Sequence, residues 1–77
     1  MKPAEFTTLG TAAFGERWRT ALAGAIGKSR EMVYQYERGK YPIPDDVAVN
    51  IRKVCAKRIE KRIADLQATL LRCELAA

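Results

Sequence analysis

The sequence predicts an all-α protein, a compact arrangement of four to five helices in which the last helix is long. Apolar residues recur at helical spacing from one end of the chain to the other, and no run of alternating β-branched residues bounded by turns predicts a strand. Nearly half of the 77 residues are apolar and 30% are charged, which is typical of a folded globular protein. A chain of this length forms one small domain.

A first helix is predicted from residue 3 to residue 14. Phe6, Leu9 and Ala13 share one apolar face at helical spacing. Pro3 suits a first helical turn, and Gly15 marks the end of the helix because glycine readily leaves the helical conformation.

A second helix is predicted from residue 17 onward, because Trp18, Leu22 and Ile26 fall at i, i+4 and i+8. These three residues are expected in the core. Gly27 ends this helix, and Ser29 can cap the next one by accepting a hydrogen bond from an unpaired amide. The turn between the two helices is therefore short.

The third helix is predicted from residue 30 to residue 38, ending at Gly39, and its helical wheel divides into two arcs. The apolar arc holds Met32, Val33 and Tyr36. The polar arc holds Arg30, Glu31, Tyr34, Gln35 and Arg38. If the apolar arc packs on the second helix, the polar arc points away from the domain.

The polar arc has the side chains that read bases in the major groove of DNA. Arg30 can bond guanine, Gln35 can bond adenine and Glu31 can accept from cytosine. Tyr34 can contact a thymine methyl group or a phosphate. Two alternatives stay open, since Glu31 also suits the positive end of its own helix and Tyr34 can be half-buried.

A fourth helix is predicted after the segment YPIP, with Pro44, Asp45 and Asp46 at its start. Its core-facing residues are expected to be Val47, Ile51, Val54 and Cys55. We divide the chain into a DNA-binding part, residues 1–55, and a C-terminal helix, residues 56–77. The sequence leaves open whether the last helix is continuous or broken near Ala56.

The C-terminal helix carries apolar residues alternately three and four positions apart, the spacing of a coiled-coil seam. They are Ala56, Ile59, Ile63, Leu66, Leu70, Cys73 and Ala77. We expect a homodimer formed through Ile59, Ile63, Leu66, Leu70 and Cys73. The alternative is that this helix folds back on the domain and completes its core.

The chain has 14 Lys and Arg against 9 Asp and Glu, a net charge of +5. Residues 51–62 contain six basic residues and one acidic residue, which accounts for the whole excess. Such a surplus favours nucleic acid or an anionic membrane surface. The alternative is a solvated helix face, which charge alone does not exclude. Lys53, Lys57 and Lys61 form a ridge that contacts phosphate only if the tail lies beside the duplex.

Several classes of function are disfavoured. Histidine is absent, so a Ser/His or Cys/His nucleophile pair cannot form, and Cys55 and Cys73 are too far apart to resemble a CxxC motif. We therefore expect neither an enzyme nor a metal site. A chain of 77 residues leaves no room for a ligand-sensing second domain, and we expect no cofactor or small-molecule ligand. The sequence also has no apolar run long enough for a membrane span and no signal peptide, so we expect a cytoplasmic protein with reduced thiols.

Residues 22–40, LAGAIGKSREMVYQYERGK, resemble the helix-turn-helix of the Xre/Cro-like, or lambda-repressor-like, regulator family. The likeness lies in the Leu-Ala pair, the turn glycine, the serine cap, the apolar positions of the recognition helix and the closing Glu-x-Gly. It implies that Arg30, Glu31, Tyr34 and Gln35 face bases. It also implies phosphate contacts by Arg19, Lys28, Arg38 and Lys40.

Two residues depart from the family pattern. Trp18 stands where the family usually has a Ser or Thr cap, and Lys28 replaces an apolar turn residue. The first departure leaves the start of the second helix uncertain. The second adds positive charge beside the expected DNA surface.

The expected function is a sequence-specific transcription regulator, a dimeric repressor that inserts helix 30–38 into the major groove of a palindromic operator. Two subunits would read half-sites about 34 Å apart, or a multiple of that distance. Two alternatives remain. One is a protein-interaction module on the same fold, acting as an antirepressor or adaptor, and the other is an accessory protein for DNA packaging or recombination.

Overall fold

The computed structural model describes residues 1–76 and contains four α-helices. They are α1 (Pro3–Phe14), α2 (Trp18–Ile26), α3 (Arg30–Glu37) and α4 (Asp45–Ala76). No strand occurs within these 76 residues. The all-α class and the long last helix are thus confirmed, and the helix count is four. Ala77, the last member of the predicted seam, lies outside the described residues.

The ends of α1 follow from local backbone chemistry. Pro3 occupies the first turn, where a missing N–H costs nothing. Gly15 has φ 80°, a left-handed conformation that favours glycine, and its N–H donates to the carbonyl of Thr11 at 2.8 Å. Helix α1 therefore ends where the sequence predicts.

A turn of three residues separates α2 from α3. Gly27 adopts the left-handed conformation, and the N–H of Lys28 donates to the carbonyl of Ala23 at 3.0 Å, which closes the end of α2. The hydroxyl of Ser29 accepts from the N–H of Met32 at 3.1 Å and caps α3. The predicted stop and cap are both confirmed.

Three aromatic rings form the centre of the core. Phe6 on α1 contacts Trp18 on α2 and Tyr36 on α3 edge to face, with ring centroids 5.3 Å and 6.0 Å apart. Trp18 is buried, as predicted. A Cβ at Gly10 would lie 2.7 Å from Cδ2 and Cζ3 of Trp18 and closer still to Cε3. The indole ring therefore packs directly on the backbone of α1.

Helix α4 is one unbroken helix of 32 residues, without a break near Ala56. At about 1.5 Å per residue it spans about 48 Å, which nearly equals the 50 Å long dimension of the molecule. It is therefore close to straight. Val47, Ile51 and Cys55 on its first half are buried.

The second half of α4 extends beyond the other helices. Ile63, Leu66, Leu70 and Leu75 are 50%, 63%, 61% and 79% exposed. The alternative in which the tail folds back and completes the core is therefore wrong from Ile63 onward, whereas Ile59 packs against the core. The part of the chain that packs together, residues 1–62, is called the body, and it ends at Arg62.

Three arginines of α4 contact α1. Arg52 pairs with Glu5 at 3.2 Å, and the guanidinium of Arg58 lies 5.8 Å from the centroid of the Phe14 ring. Arg62 donates from Nη1 to the carbonyl of Ala12 at 2.6 Å and satisfies the carbonyl end of α1. Part of the basic excess thus stabilises the contact between two helices.

Candidate nucleic-acid interface

The amphipathic pattern of α3 determines which of its side chains face outward. Val33 and Tyr36 are buried, whereas Arg30, Glu31 and Arg38 are exposed. The predicted division into two arcs is confirmed for these residues. What the outward residues bind stays a prediction.

Tyr34 lies at the centre of a cluster of three arginines. The guanidinium carbons of Arg19, Arg30 and Arg38 lie 5.7, 5.9 and 5.9 Å from the centroid of its ring. The Tyr34 side chain is half-buried, as in the alternative that the sequence left open for this residue. Its face attracts cations through the ring quadrupole, so Tyr34 gathers positive charge at the surface of α3.

Arg19 is held by Glu37 rather than free in solvent. Its Nε and Nη2 donate to the two carboxylate oxygens of Glu37 at 2.7 and 2.6 Å, a bidentate pair that joins α2 to the end of α3. Its guanidinium also lies 4.9 Å from the centroid of the Trp18 ring. Its predicted phosphate contact therefore depends on the donors that Glu37 leaves unused, those on Nη1 and the second N–H of Nη2.

The ion pair also shifts the pKa of both of its side chains. The hydrogen bond from Arg19, aided by the positive charges of Arg19 and Arg38, lowers the pKa of Glu37 below its ordinary value of 4.5, although partial burial opposes the shift. The same hydrogen bond raises the pKa of Arg19. Both groups stay charged near neutral pH, so the pair is intact there.

Gln35 is not freely presented. It is half-buried, its Nε2 donates to Glu31 Oε1 at 2.8 Å, and its Oε1 is buried without a hydrogen-bond partner among the described residues. A buried acceptor without a partner costs free energy. A bidentate contact with adenine needs both amide atoms, so Gln35 must turn outward and leave Glu31 in order to make it.

A cleft of about 600 Å³ opens between the starts of α2 and α3, and it contains residues that the sequence prediction missed. Arg17 and Thr20 line it together with Arg19, Arg30 and Tyr34. The side chain of Arg17 does not cap α2, and the first amides of a helix lack partners within it. The presence of a second arginine, Arg17, next to the start of α2 was the feature of the sequence from which this part of the site could have been predicted.

The remaining predicted phosphate contacts flank α3. Lys28 lies in the turn before it, and Lys40 follows it, and both are exposed. The ammonium of Lys40 lies 5.9 Å from the centroid of the Tyr41 ring. Together with Arg38, these side chains extend the positive surface on both sides of α3.

The predicted dimerisation residues divide into two groups. Ile59 is half-buried and packs on the core of its own subunit. Ile63, Leu66, Leu70 and Cys73 are exposed. The uncovered part of the seam therefore begins at Ile63, one turn later than predicted.

No group of three or more His, Cys, Asp or Glu side chains that could hold a metal ion occurs in residues 1–76. None of the helices within that range is both long enough and apolar enough to cross a membrane. No protein-family model, curated protein or solved structure matches this chain. A functional assignment therefore depends on the surface chemistry of α3 and on the exposed half of α4.

Proposed function

We propose that this protein is a sequence-specific, DNA-binding transcription regulator that acts as a dimeric repressor. The observation that carries the proposal is the cluster of three guanidinium groups around Tyr34. Only Arg19 among them has a carboxylate partner within salt-bridge distance in the part of the chain that the structure describes. The groups of Arg30 and Arg38 are left for an external anion.

The shape of the surface supports a nucleic acid as that anion. Helix α3 has eight residues. An α-helix with its side chains is about 10–12 Å across, which fits the major groove of B-DNA, about 12 Å wide. With its buried side fixed by Val33 and Tyr36, α3 enters the groove through its polar side. Arg30 then reads a guanine, and Glu31 and Gln35 read neighbouring bases.

The arrangement of α2 and α3 supports the same proposal. A three-residue turn with a left-handed glycine and a serine cap joins them, as in the helix-turn-helix of the Xre/Cro-like family. We propose that α2 crosses the DNA backbone and that Arg19, Lys28, Arg38 and Lys40 contact phosphates. Arg17, at the same end of α2, adds a fifth candidate.

The character of the outward face of α3 favours DNA over a protein partner. Protein interfaces are enriched in aromatic and apolar anchors. The large exposed apolar residues of residues 1–76 are Tyr41, Val49, Ile63, Leu66, Leu70, Leu71 and Leu75, and none of them lies on α3. An adaptor that docked proteins through α3 would have few anchors.

A second copy of the chain completes the proposed site. One short recognition helix gives limited contact with DNA, and two subunits related by a two-fold axis read a palindrome together. The exposed residues Ile63, Leu66, Leu70 and Cys73 supply an apolar surface for that second copy. The dimer forms through the tails, away from α3.

The test is selection of bound duplexes from a random-sequence pool, followed by affinity measurements across salt concentrations. Arg30→Ala is expected to cost about 1–3 kcal/mol on the selected site and to relax preference at one base pair. Lys40→Ala is expected to weaken all sequences alike and to reduce the dependence on salt by about one phosphate.

Arg72→Ala, at an exposed position on the far half of α4 and off the seam, is the matched control for loss of one positive charge. We expect it to affect binding less than Lys40→Ala. If no sequence is enriched, or if Arg30→Ala leaves the preference unchanged, α3 is not a base-reading helix.

A further inference from the structure

The apolar stripe of α4 is covered along half of its length and uncovered along the other half. At about 100° per residue, an arc of about 80° holds six apolar residues: Cys55, Ile59, Ile63, Leu66, Leu70 and Cys73. Cys55 is fully buried and Ile59 packs on the same core, whereas the residues from Ile63 onward are exposed. The same face of α4 thus continues past the end of the body.

Helix α1 is the element that covers the first half of this face. Glu5, near its start, pairs with Arg52, and the carbonyl of Ala12, near its end, accepts from Arg62. Helix α1 therefore runs beside α4 in the same direction and ends beside Arg62. Within residues 1–76, nothing covers the stripe beyond that point.

This arrangement determines how a second α4 can pack. A partner helix in parallel orientation and in register would set Ile63 against the partner subunit's Ile63 and then continue beside Ile59 and Cys55. Helix α1 already lies on that face at those positions. Because α4 is unbroken and close to straight, a parallel partner has no room beside the body.

An antiparallel partner avoids this collision. Its exposed half lies along the stripe beyond Arg62, in line with α1, and its own body lies at the far end. The spacing then sets Ile63 against the partner subunit's Cys73 and Leu66 against the partner subunit's Leu70. The two-fold axis repeats both contacts, which gives four apolar layers.

The charges fit the antiparallel orientation as well. Gln67 and Thr69 meet their own counterparts beside the two-fold axis, and neither is charged. The carbonyl end of the partner's α4, which carries partial negative charge, comes close to Arg62. Glu60 and the partner subunit's Glu74 lie on the same side, but at the outer ends of the seam, where solvent and salt screen them.

We infer that two copies of this chain pair through residues 63–73 of α4 in antiparallel orientation, which places the two α3 surfaces at opposite ends of an elongated dimer. The inference rests on the homodimer of the proposed function and adds its geometry. The stripe centre falls at residue 68, about 12 Å from the tip of a molecule 50 Å long. The dimer is therefore about 75 Å long.

Disulfide cross-linking of the full chain tests the orientation. In Ile63→Cys, a glutathione redox buffer is expected to link the introduced thiol to the partner subunit's Cys73, as read by peptide mass spectrometry. Adding Cys73→Ser is expected to abolish that link. Wild type is expected not to cross-link, because the two Cys73 residues lie about 15 Å apart along the axis and a disulfide needs Cα atoms within about 7 Å.

Cross-linking of wild type through Cys73 indicates a parallel dimer and overturns the inference. Persistent cross-linking of the double variant Ile63→Cys, Cys73→Ser does the same. Ile63 is exposed, so its replacement leaves the core intact, and circular dichroism verifies this for each variant.

Sedimentation and small-angle X-ray scattering supply an independent measurement. We expect a wild-type dimer about 75 Å long, against about 50 Å for a parallel pair. Ile63→Lys is expected to raise the dimer dissociation constant at least about 100-fold, because it buries two charges. Leu71→Lys, which changes an exposed leucine off the stripe, is the control and is expected to remain dimeric.

A wild type that stays monomeric, or dissociation by Leu71→Lys but not by Ile63→Lys, overturns the seam assignment. These measurements are made without DNA. A parallel dimer that still selects a DNA sequence therefore refutes this inference and leaves the proposed function standing. A monomer that selects a DNA sequence refutes the homodimer as well and leaves only the proposed DNA binding standing.

Discussion

Arg19 and Glu37, 18 residues apart in sequence, form a bidentate ion pair that joins the first turn of α2 to the end of α3. The pair stands beside the Tyr34 ring, which Arg19 also contacts. Because a bidentate carboxylate pair constrains both distance and orientation, it adds to the packing of Val33 and Tyr36 in fixing the orientation of α3 relative to α2. Any ligand that binds the outer side of α3 meets a helix already held in place.

The ion pair predicts a specific dependence of stability on pH. The folded-state pKa of Glu37 is lowered, so its stabilisation is present above the ordinary value of 4.5 and is lost as pH falls through the folded pKa. Glu37→Gln is therefore expected to be less stable than wild type at pH 7. The difference should shrink below pH 4.5 and vanish once wild-type Glu37 is protonated, as measured by urea unfolding.

Glu5→Gln is the matched control, since Glu5 pairs with Arg52 at an exposed position. Exposed pairs contribute little, so we expect a change within about 0.5 kcal/mol at pH 7. Equal effects of the two substitutions would contradict the structural role assigned to Glu37.

The contact between Gly10 and the Trp18 ring predicts an unusual response to alanine. Gly10→Ala is expected to destabilise the fold by about 1–3 kcal/mol or more, because the added methyl group overlaps the indole ring. Gly24→Ala, in α2 with nothing within 4 Å of its Cβ, is expected to gain up to about 1 kcal/mol from helix propensity. Thermal unfolding of the two variants measures both changes.

The comparison of Gly10 with Gly27 shows what the sequence can predict. Gly27 follows an apolar periodic run and lies two residues before Ser29, and that local pattern predicts its left-handed turn. Gly10 lies inside α1, and its close approach to Trp18 depends on how two helices pack. A single sequence carries no signal for such a contact.

The candidate site shows the same division between local features, which the sequence predicts, and contacts between helices, which it does not. The outward arc of α3 follows from periodicity alone. The partners of its side chains do not, because Arg19 with Glu37 and Arg62 with Ala12 are pairs of groups distant in sequence. For the same reason the sequence left open whether the tail was covered, which depends on where α1 ends beside α4.

The two thiols are expected to react differently. Cys55 is fully buried, and burial raises the pKa of its thiol above the ordinary value of 9.0, so it has little thiolate. Cys73 is exposed. One thiol per chain should react quickly with a disulfide reagent in native buffer and two in denaturant.

The proposed dimer adds a concentration dependence to this prediction. Cys73 should react more slowly as the protein concentration rises, because the second subunit covers it, whereas Cys55 stays slow throughout. Rapid reaction of Cys55 in the native protein would contradict its burial. The reagent is followed by absorbance at several protein concentrations.

The hydrogen bond between Glu31 and Gln35 predicts a coupling in the proposed recognition of DNA by α3. Glu31→Ala removes the acceptor that holds Gln35 Nε2, so Gln35 turns toward a base without breaking a hydrogen bond. We expect a sharper preference at the Gln35 base pair in this variant. The effect should disappear in the Gln35→Ala background.

A double-mutant cycle on the selected duplex measures this coupling, which we expect in the range of about 0.5–3 kcal/mol for residues in contact. If the effects of Glu31→Ala and Gln35→Ala are additive, Gln35 does not have to leave Glu31 in order to contact DNA, and the predicted coupling is wrong. Arg38→Ala, at the residue that caps the end of α3 and without a side-chain hydrogen bond to Gln35, serves as the comparison for an uncoupled residue.

Because α4 is one unbroken helix, the number of residues beyond Arg62 determines both how far its end extends and the direction in which the side chains there point. Each residue inserted after Arg62 moves the tip about 1.5 Å outward and rotates it about 100° about the helix axis. One added residue would aim the leucines of the tip away from a neighbour, while seven would restore their direction to within about 20°. The number of residues between body and tip therefore encodes the relative rotation of two subunits, and small insertions there would alter assembly without touching the core.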